Sequence, residues 1–327
     1  MGLINVFTLK NTQHPEYSFS TESGVMCLDF HPQHPALLAV GCYDGTVRVF
    51  DVRRKENRHI FKSSIKTGKH TDPVWQVKWQ AEDLAKDLTF YSISSDGRVA
   101  NWIMSKNELK MEPVMTLKLV GSSQGAEVDE ETSLTGLAGG CCFDFNRKSE
   151  HLFIVGTEEG KIHKCSKAYS GQYLETYVCE WMWRWYQLCT GMQWSDACAW
   201  VRYCVVCMCS YEGHNMAVYS VKWNTFHPRV FLSSSADWTV KMWDHNITKP
   251  IMSWDLSCAV GDVCWAPYSS TVFSAVTSDG KVHIYDLAAN KHEQFCEQKV
   301  VKRAHLTHVL FNDKGASCGV QRVGACH

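Results

Sequence analysis

Residues 233–244 read SSSADWTVKMWD: the end of one strand, a tight turn around Asp237, and a second strand in which Val240 and Met242 share one face. Four other stretches repeat this design: CYDGTVRVFD at 42–51, SSDGRVANWI at 94–103, TEEGKIHKCS at 157–166 and TSDGKVHIYD at 277–286. Their turn acids, Asp44, Asp96, Glu159, Asp237 and Asp279, stand 52, 63, 78 and 42 residues apart. Two of these gaps suit the roughly 40 to 50 residues of a four-stranded propeller blade, and two leave room for insertions.

The Asp-Gly or Glu-Gly pairs supply a hairpin turn that needs a positive φ, and the residues after them alternate as a pleated strand requires. Upstream of each turn lies a second apolar strand, such as ALLAV (36–40) or RVFLSS (229–234), and before it a third, such as VMCLDF (25–30) or VYSVKW (218–223). A sheet of this kind is apolar on both faces and is stable only between neighbours, which radial repetition provides. The expected fold is all-β, one propeller over residues 1–327 with five complete blades and a half-blade at each terminus. LINVFTLK (3–10) aligns with TVRVFDVR (46–53), and THVLFN (307–312) with ASCGV (316–320) supplies the first two strands of a further blade. The two halves are expected either to pair, closing a six-bladed ring, or to stay apart with exposed edges.

Residues 178–211 break the pattern. This 34-residue stretch holds five of the thirteen tryptophans and six of the sixteen cysteines, and removing it turns the 78-residue spacing into 44. It reads as an insertion into a repeat that is complete without it, after an outer strand near 172–177. Glu180, Arg184, Asp196 and Arg202 interrupt every window long enough to span a membrane. Cys204, Cys207 and Cys209 lack a second ligand pair at zinc spacing. A second insertion, between blades two and three, is polar with a run of acids and reads as a solvated loop.

Net charge is −1 with pI about 6.9, and no basic run exceeds KVVKR at 299–303, so no polyanion-binding surface is indicated. The opening MGLINVFTLKNTQ lacks a basic stretch followed by a long apolar run, which argues against a secretory signal and for an intracellular chain without a disulfide framework. No nucleophile elbow, zincin motif, P-loop or dinucleotide fingerprint occurs. No catalytic residue, cofactor or metal site is therefore expected. His31 and His34, in FHPQHP, read as a turn set by Pro32 and Pro35. The inner strands, rich in Val, Cys, Trp and Phe, give no sign of a polar central channel.

The units resemble WD40 repeats. In that family a His before the first strand, a turn Asp and a third-strand Trp form a hydrogen-bonded network, and the resemblance assigns those places to His70, Asp96 and Trp102 and to His214, Asp237 and Trp243. Phe50, Cys165 and Tyr285 stand in the Trp place elsewhere, and Glu159 replaces the Asp of the third unit. The turn between second and third strands lies on one rim in such propellers, which places Tyr43, Arg98 and Trp238 on a candidate partner-binding face. Trp238 occupies the place usually held by Gly.

Apart from 178–211 and the last few residues, the chain is similar to the dynein intermediate chains, on the axonemal outer-arm side of that family. The carrying segments include SGVMCLDFHPQHPALLAVGCYDGTVRVFDVR (23–53), HTDPVWQVKW (70–79), FIVGTEEGKIHKCSKAYSGQYLETY (153–177), SSADWTVKMWDHN (234–246) and AVGDVCWAPYSSTVFSAVTSDGKVHIYDLAANKHE (259–293). The resemblance implies a non-catalytic subunit of a microtubule motor, located in the cytoplasm, the cytoskeleton and the axoneme of a cilium or flagellum. Its implied partners are a dynein heavy chain, a second dynein intermediate chain, light chains and axonemal microtubule components, with no nucleic acid or membrane. The family's N-terminal extension, which holds light chains, is not in this sequence. The alternative is another intracellular WD40 adaptor, such as a substrate receptor of a ubiquitin ligase.

Overall fold

The computed structural model describes residues 1–8, 10–54, 58–80, 88–105, 108–117, 137–149, 151–166, 207–302, 304–312 and 318–323. Strands dominate: among the described residues the only helical element is a single 3-10 turn at Ile65–Thr67. A first hairpin, β1 (Gly2–Val6) and β2 (Tyr17–Thr21), precedes five antiparallel four-stranded sheets. Blade one is β3 (Val25–Phe30), β4 (Leu37–Cys42), β5 (Val47–Asp51) and β6 (Phe61–Lys62). Blade two is β7 (Val74–Trp79), β8 (Leu88–Ser94), β9 (Arg98–Met104) and β10 (Leu109–Thr116). Blade three is β11 (Gly140–Phe145), β12 (Leu152–Thr157), β13 (Ile162–Ser166) and β14 (Cys207–Tyr211). Blade four is β15 (Val218–Trp223), β16 (Val230–Ser235), β17 (Thr239–Asp244) and β18 (Met252–Asp255). Blade five is β19 (Val260–Trp265), β20 (Val272–Thr277), β21 (Lys281–Asp286) and β22 (Cys296–Lys299). A last hairpin pairs β23 (His305–Phe311) with β24 (Cys318–Val323).

The core lies between blades, as sheets apolar on both faces demand. Leu37, Val47 and Val49 of blade one meet Val74, Trp79, Phe90 and Trp102 of blade two, and the same arrangement recurs at each following junction. Second strands carry most of this burden, and every residue of β4 is buried. Such fully buried aliphatic and aromatic side chains each contribute about 1.5–3 kcal/mol by leaving water.

Of the two arrangements left open for the half-blades, the described residues show them apart: β1–β2 and β23–β24 are separate two-stranded sheets. Each is held by apolar packing on its neighbour, Ile4 and Phe19 against Leu38, Val40 and Phe50, and Leu306 and Val309 against Val276 and Val282, so burial anchors each hairpin with no ladder between them among the described residues. One expectation changes, the fourth strand of blade three. Residues 172–177 lie outside the described residues, and residues 207–211, read from sequence as the tail of the insertion, fill that place against β13. Tyr211 explains the choice: it is fully buried, its ring lies 5.3 Å from Phe231 and 5.7 Å from Trp243, and its hydroxyl donates to the His245 carbonyl at 2.6 Å. The expected insertion up to residue 206 and residues 121–136 of the acidic loop expected over 121–140 lie outside the described residues, and the last residue of that loop, Gly140, opens β11.

Candidate functional site

The turns joining second to third strands, and the connections that lead into each first strand, form one rim of the propeller. Two blades lock this rim with the same side-chain relay. In blade two the Trp102 indole donates to Ser92 Oγ at 2.7 Å, Ser92 pairs with His70 Nε2 at 2.7 Å, and His70 Nδ1 meets Asp96 at 3.0 Å. Blade four repeats it: Trp243 to Ser233 at 2.8 Å, Ser233 with His214 at 2.7 Å, and His214 with Asp237 at 2.8 Å. Because an indole can only donate and a carboxylate only accepts, the proton directions run from Trp through Ser and His to Asp. The network thus brings together all six residues assigned from sequence, plus two serines that were not. A signal existed: Ser92 and Ser233 each precede the Trp by ten residues, whereas the same place in the other blades is Val40, Val155 or Ala275.

Electrostatics follow from that relay. Burial opposes ionisation of Asp96, but hydrogen bonds from His70 and Arg98 outweigh it and hold the carboxyl well below the usual range. For Asp237 the compensating bonds come from His214 and Thr239. Burial pushes His214 below the ordinary imidazole range despite Asp237, so the pair at neutral pH is a neutral imidazole beside a carboxylate. In the blades without a relay the turn acids are served locally, Asp44 by Thr46 at 2.7 Å and Asp279 by Thr277 at 2.5 Å.

The rim residues picked from sequence divide. Arg98 turns inward, its guanidinium on Asp96 at 2.7 Å and on the Lys69 carbonyl at 3.3 Å, so it serves the network. Tyr43 is 62% exposed and Trp238 54% exposed. Trp238 also has φ 71°, in the left-handed region, where the equivalent turn residues of the other four blades are Gly45, Gly97, Gly160 and Gly280 at φ 73–86°. A side chain there costs about 1–2 kcal/mol relative to a relaxed backbone. The Leu256 N–H bonded to the Trp238 carbonyl at 2.9 Å helps to hold it.

Each first strand carries a register shift near its start, between Val25 and Cys27, Val74 and Gln76, Gly140 and Cys142, Val218 and Ser220, Val260 and Asp262, and Leu306 and His308. Such bulges re-aim the extra side chain. Two of these residues, Trp75 and Tyr219, are exposed aromatics. Trp75 is steadied by its indole bond to Ser95 Oγ at 2.6 Å, and Ser95 in turn donates to Glu158 of the next blade at 2.7 Å. Of the six exposed Tyr and Trp side chains among the described residues, four (Tyr43, Trp75, Tyr219 and Trp238) therefore belong to this one rim. Trp and Tyr are the residue types that most often anchor interfaces.

The inner strands are more polar than their sequence suggested. One position holds Asp29, Lys78, Asp144 and Lys222 in successive blades, and Gln76, Asp262 and His308 lie two residues earlier in theirs. These groups serve the unpaired inner edges of the first strands. Asp29 accepts the Trp79 N–H at 2.8 Å, Gln76 that of Phe143 at 2.8 Å, Asp144 that of Trp223 at 2.7 Å and Asp262 that of Val309 at 3.2 Å. Lys78 pairs with Asp144. Lys222, though burial favours its neutral form, is raised to about 12 by Asp262 and Asp144. Paired in this way, the channel groups join blade to blade. Among the described residues no group of three or more metal-ligating side chains comes together.

Repeating blades, bulged inner strands and His–Asp–Ser–Trp relays have the form of WD40 repeats in a β-propeller, and residues 13–51, 205–244 and 249–286 match the family described as WD domain, G-beta repeat. The second match begins just ahead of β14, in keeping with its place in blade three. The chain is similar to axonemal dynein intermediate chains over nearly its whole length. It is 50% identical across 95% of its residues to "Dynein intermediate chain 2, ciliary" of Heliocidaris crassispina, covering 40% of that protein. It is 47% identical across 96% to "Dynein, 78 kDa intermediate chain, flagellar outer arm" of Chlamydomonas reinhardtii, covering 41%. To "Dynein axonemal intermediate chain 1" of Bos taurus it is 47% identical across 95%, covering 40%. The chain thus spans about two fifths of the length of these curated relatives.

Proposed function

We propose that this chain is the propeller of an axonemal outer-arm dynein intermediate chain, a non-catalytic scaffold that docks on the motor's heavy chain and supports ciliary or flagellar beating. The observation that carries the reading is identity of 47–50% to ciliary and flagellar dynein intermediate chains along a propeller whose polar groups are spent on holding blades together. A reactive site needs titratable groups free to meet a substrate, and here the His–Asp pairs and the inner-strand charges are bonded to the fold. Motor ATPase activity then belongs to the heavy chain. The further partners are a second dynein intermediate chain and axonemal microtubule components, and the place of work is the axoneme.

The contact face is the rim that carries Tyr43 and Trp238, with Arg98 shaping the turn of blade two from within. A rigid turn that presents an aromatic ring loses little side-chain entropy on binding, which suits a permanent assembly. Affinity capture from an axonemal extract tests the function. Recovery of dynein heavy chain supports it, and recovery of ubiquitin-ligase subunits in its place favours the generic adaptor.

A further inference from the structure

We propose that the rim over blades three and four is the docking surface for a basic segment of a partner protein, one of whose lysine or arginine side chains lies on the exposed ring of Trp238. The proposal rests on the scaffold reading above and narrows it to one place and one chemistry.

Trp238 is the starting point. Everything that locks its turn is done by neighbours: Asp237 bonds His214 and Thr239, and Ser235 Oγ receives the Asp237 N–H at 3.2 Å. The indole itself is 54% exposed in a backbone conformation that four sister turns reserve for Gly. A strained turn that carries an exposed aromatic ring is the kind of feature found where a protein touches a partner. The connection beneath it holds the other positive-φ side chain among the described residues, Ser257 at φ 56°.

Apolar surface continues from this ring. The Ala236 N–H bonds the Ala217 carbonyl at 3.0 Å, which sets the turn beside Met216, itself 54% exposed. On the far side the Gly160 turn closes on the carbonyls of His214 and Met216, so Met216 sits between the Trp238 turn and the Glu158–Glu159 turn. Tyr219, 47% exposed, follows on the bulge of β15.

Charge selects the occupant. Glu158, Glu159, Glu212 and Asp255 are exposed around this apolar strip. The two nearby cations are turned inward or already paired: Lys241 onto the Gly213 carbonyl, Lys161 onto Glu212 at 3.6 Å. His214, neutral, adds nothing against Asp237. An aromatic face ringed by carboxylates attracts a cation with an aliphatic stem, by ring quadrupole and by Coulomb attraction together.

The test uses the full chain, synthetic peptides tiling a dynein heavy-chain tail, and intact heavy chain from axonemal extract. Trp238→Gly relieves the backbone and is expected to raise Tm by about 2 °C while weakening the best-binding peptides about 30-fold. The double substitution Glu159→Lys with Asp255→Lys is expected to weaken them about tenfold at low salt and to flatten their salt dependence. Binding peptides without Lys or Arg, unchanged affinity in Trp238→Gly, or no bound peptide at all overturns the docking surface. Loss of binding in Trp238→Gly with the charge-reversed chain unaffected at every salt concentration overturns the basic occupant. Capture of whole heavy chain by the unaltered protein judges the scaffold reading separately: its failure sinks that reading, and its success alongside peptide failure sinks only this surface.

Discussion

Ser92 Oγ takes the Trp102 indole proton at 2.7 Å and lies 2.7 Å from His70 Nε2, so a single hydroxyl joins the third strand of blade two to the connection that enters it. All three side chains are buried, and water cannot replace the hydroxyl. Ser92→Ala leaves an indole N–H and an imidazole nitrogen unpaired, and the expected loss is about 2–4 kcal/mol. Ser233→Ala in blade four should cost a similar amount. The two are in different blades and share no partner, so their losses should add to within about 0.5 kcal/mol. Urea unfolding of the single and double variants measures this.

Asp144 is the hinge of the junction between blades three and four. It accepts the Trp223 N–H, its own carbonyl receives the Trp223 indole at 3.2 Å, and its carboxylate pairs with Lys78. Asp144→Ala is expected to cost about 3–5 kcal/mol, because a half-buried ammonium and a buried N–H lose their partner together. Lys78→Met should cost far less, and it should recover part of the loss when combined with Asp144→Ala. A double-mutant cycle by thermal melting reads the coupling.

Acid should weaken the fold in two stages. His214 has a depressed folded value, so the unfolded chain binds more protons below about pH 6.5, and stability falls as pH drops from 7 towards 5. Asp96 and Asp237 are also depressed, and what they contribute is complete above about pH 4 and is lost as pH falls further. Burial raises Asp29, which works in the opposite sense and blunts the second stage. Chemical denaturation between pH 3 and pH 8 checks both windows, and His214→Gln should lessen the first, to which the depressed His59, His163 and His245 also contribute.

Tyr211 makes blade three depend on residues beyond the expected insertion. Tyr211→Ala empties a fully buried site against Phe231 and Trp243, and the expected cost is about 3–5 kcal/mol. Hydrogen exchange should show slow amides along residues 207–211 in the unaltered chain and fast ones in the variant.

The repeat was legible because each unit states its turn: an acid, then a residue at positive φ, then an alternating strand. Five turns fixed five blades, and His70, Asp96, Trp102, His214, Asp237 and Trp243 could be placed from the family pattern. What escaped reading depends on a third dimension. Ser92 and Ser233 look like ordinary strand serines until the fold brings an indole and an imidazole to them. Asp29, Lys78, Asp144 and Lys222 look like lone charges in apolar strands, and only neighbouring blades show that they satisfy one another. Arg98 looked like a rim contact because sequence cannot tell a side chain turned onto Asp96 from one turned to solvent. The β14 strand was hidden by composition: Cys207–Tyr211 shares its cysteines with the stretch before it, and only the buried fit of Tyr211 assigns it to the blade.

Whether the chain joins a dynein motor is read by velocity sedimentation of the tagged chain mixed with a high-salt axonemal extract. A motor subunit travels with dynein heavy chain, well ahead of a free 37.2 kDa protein. A chain that sediments alone, while the extract's heavy chain migrates without it, is not a subunit of that motor.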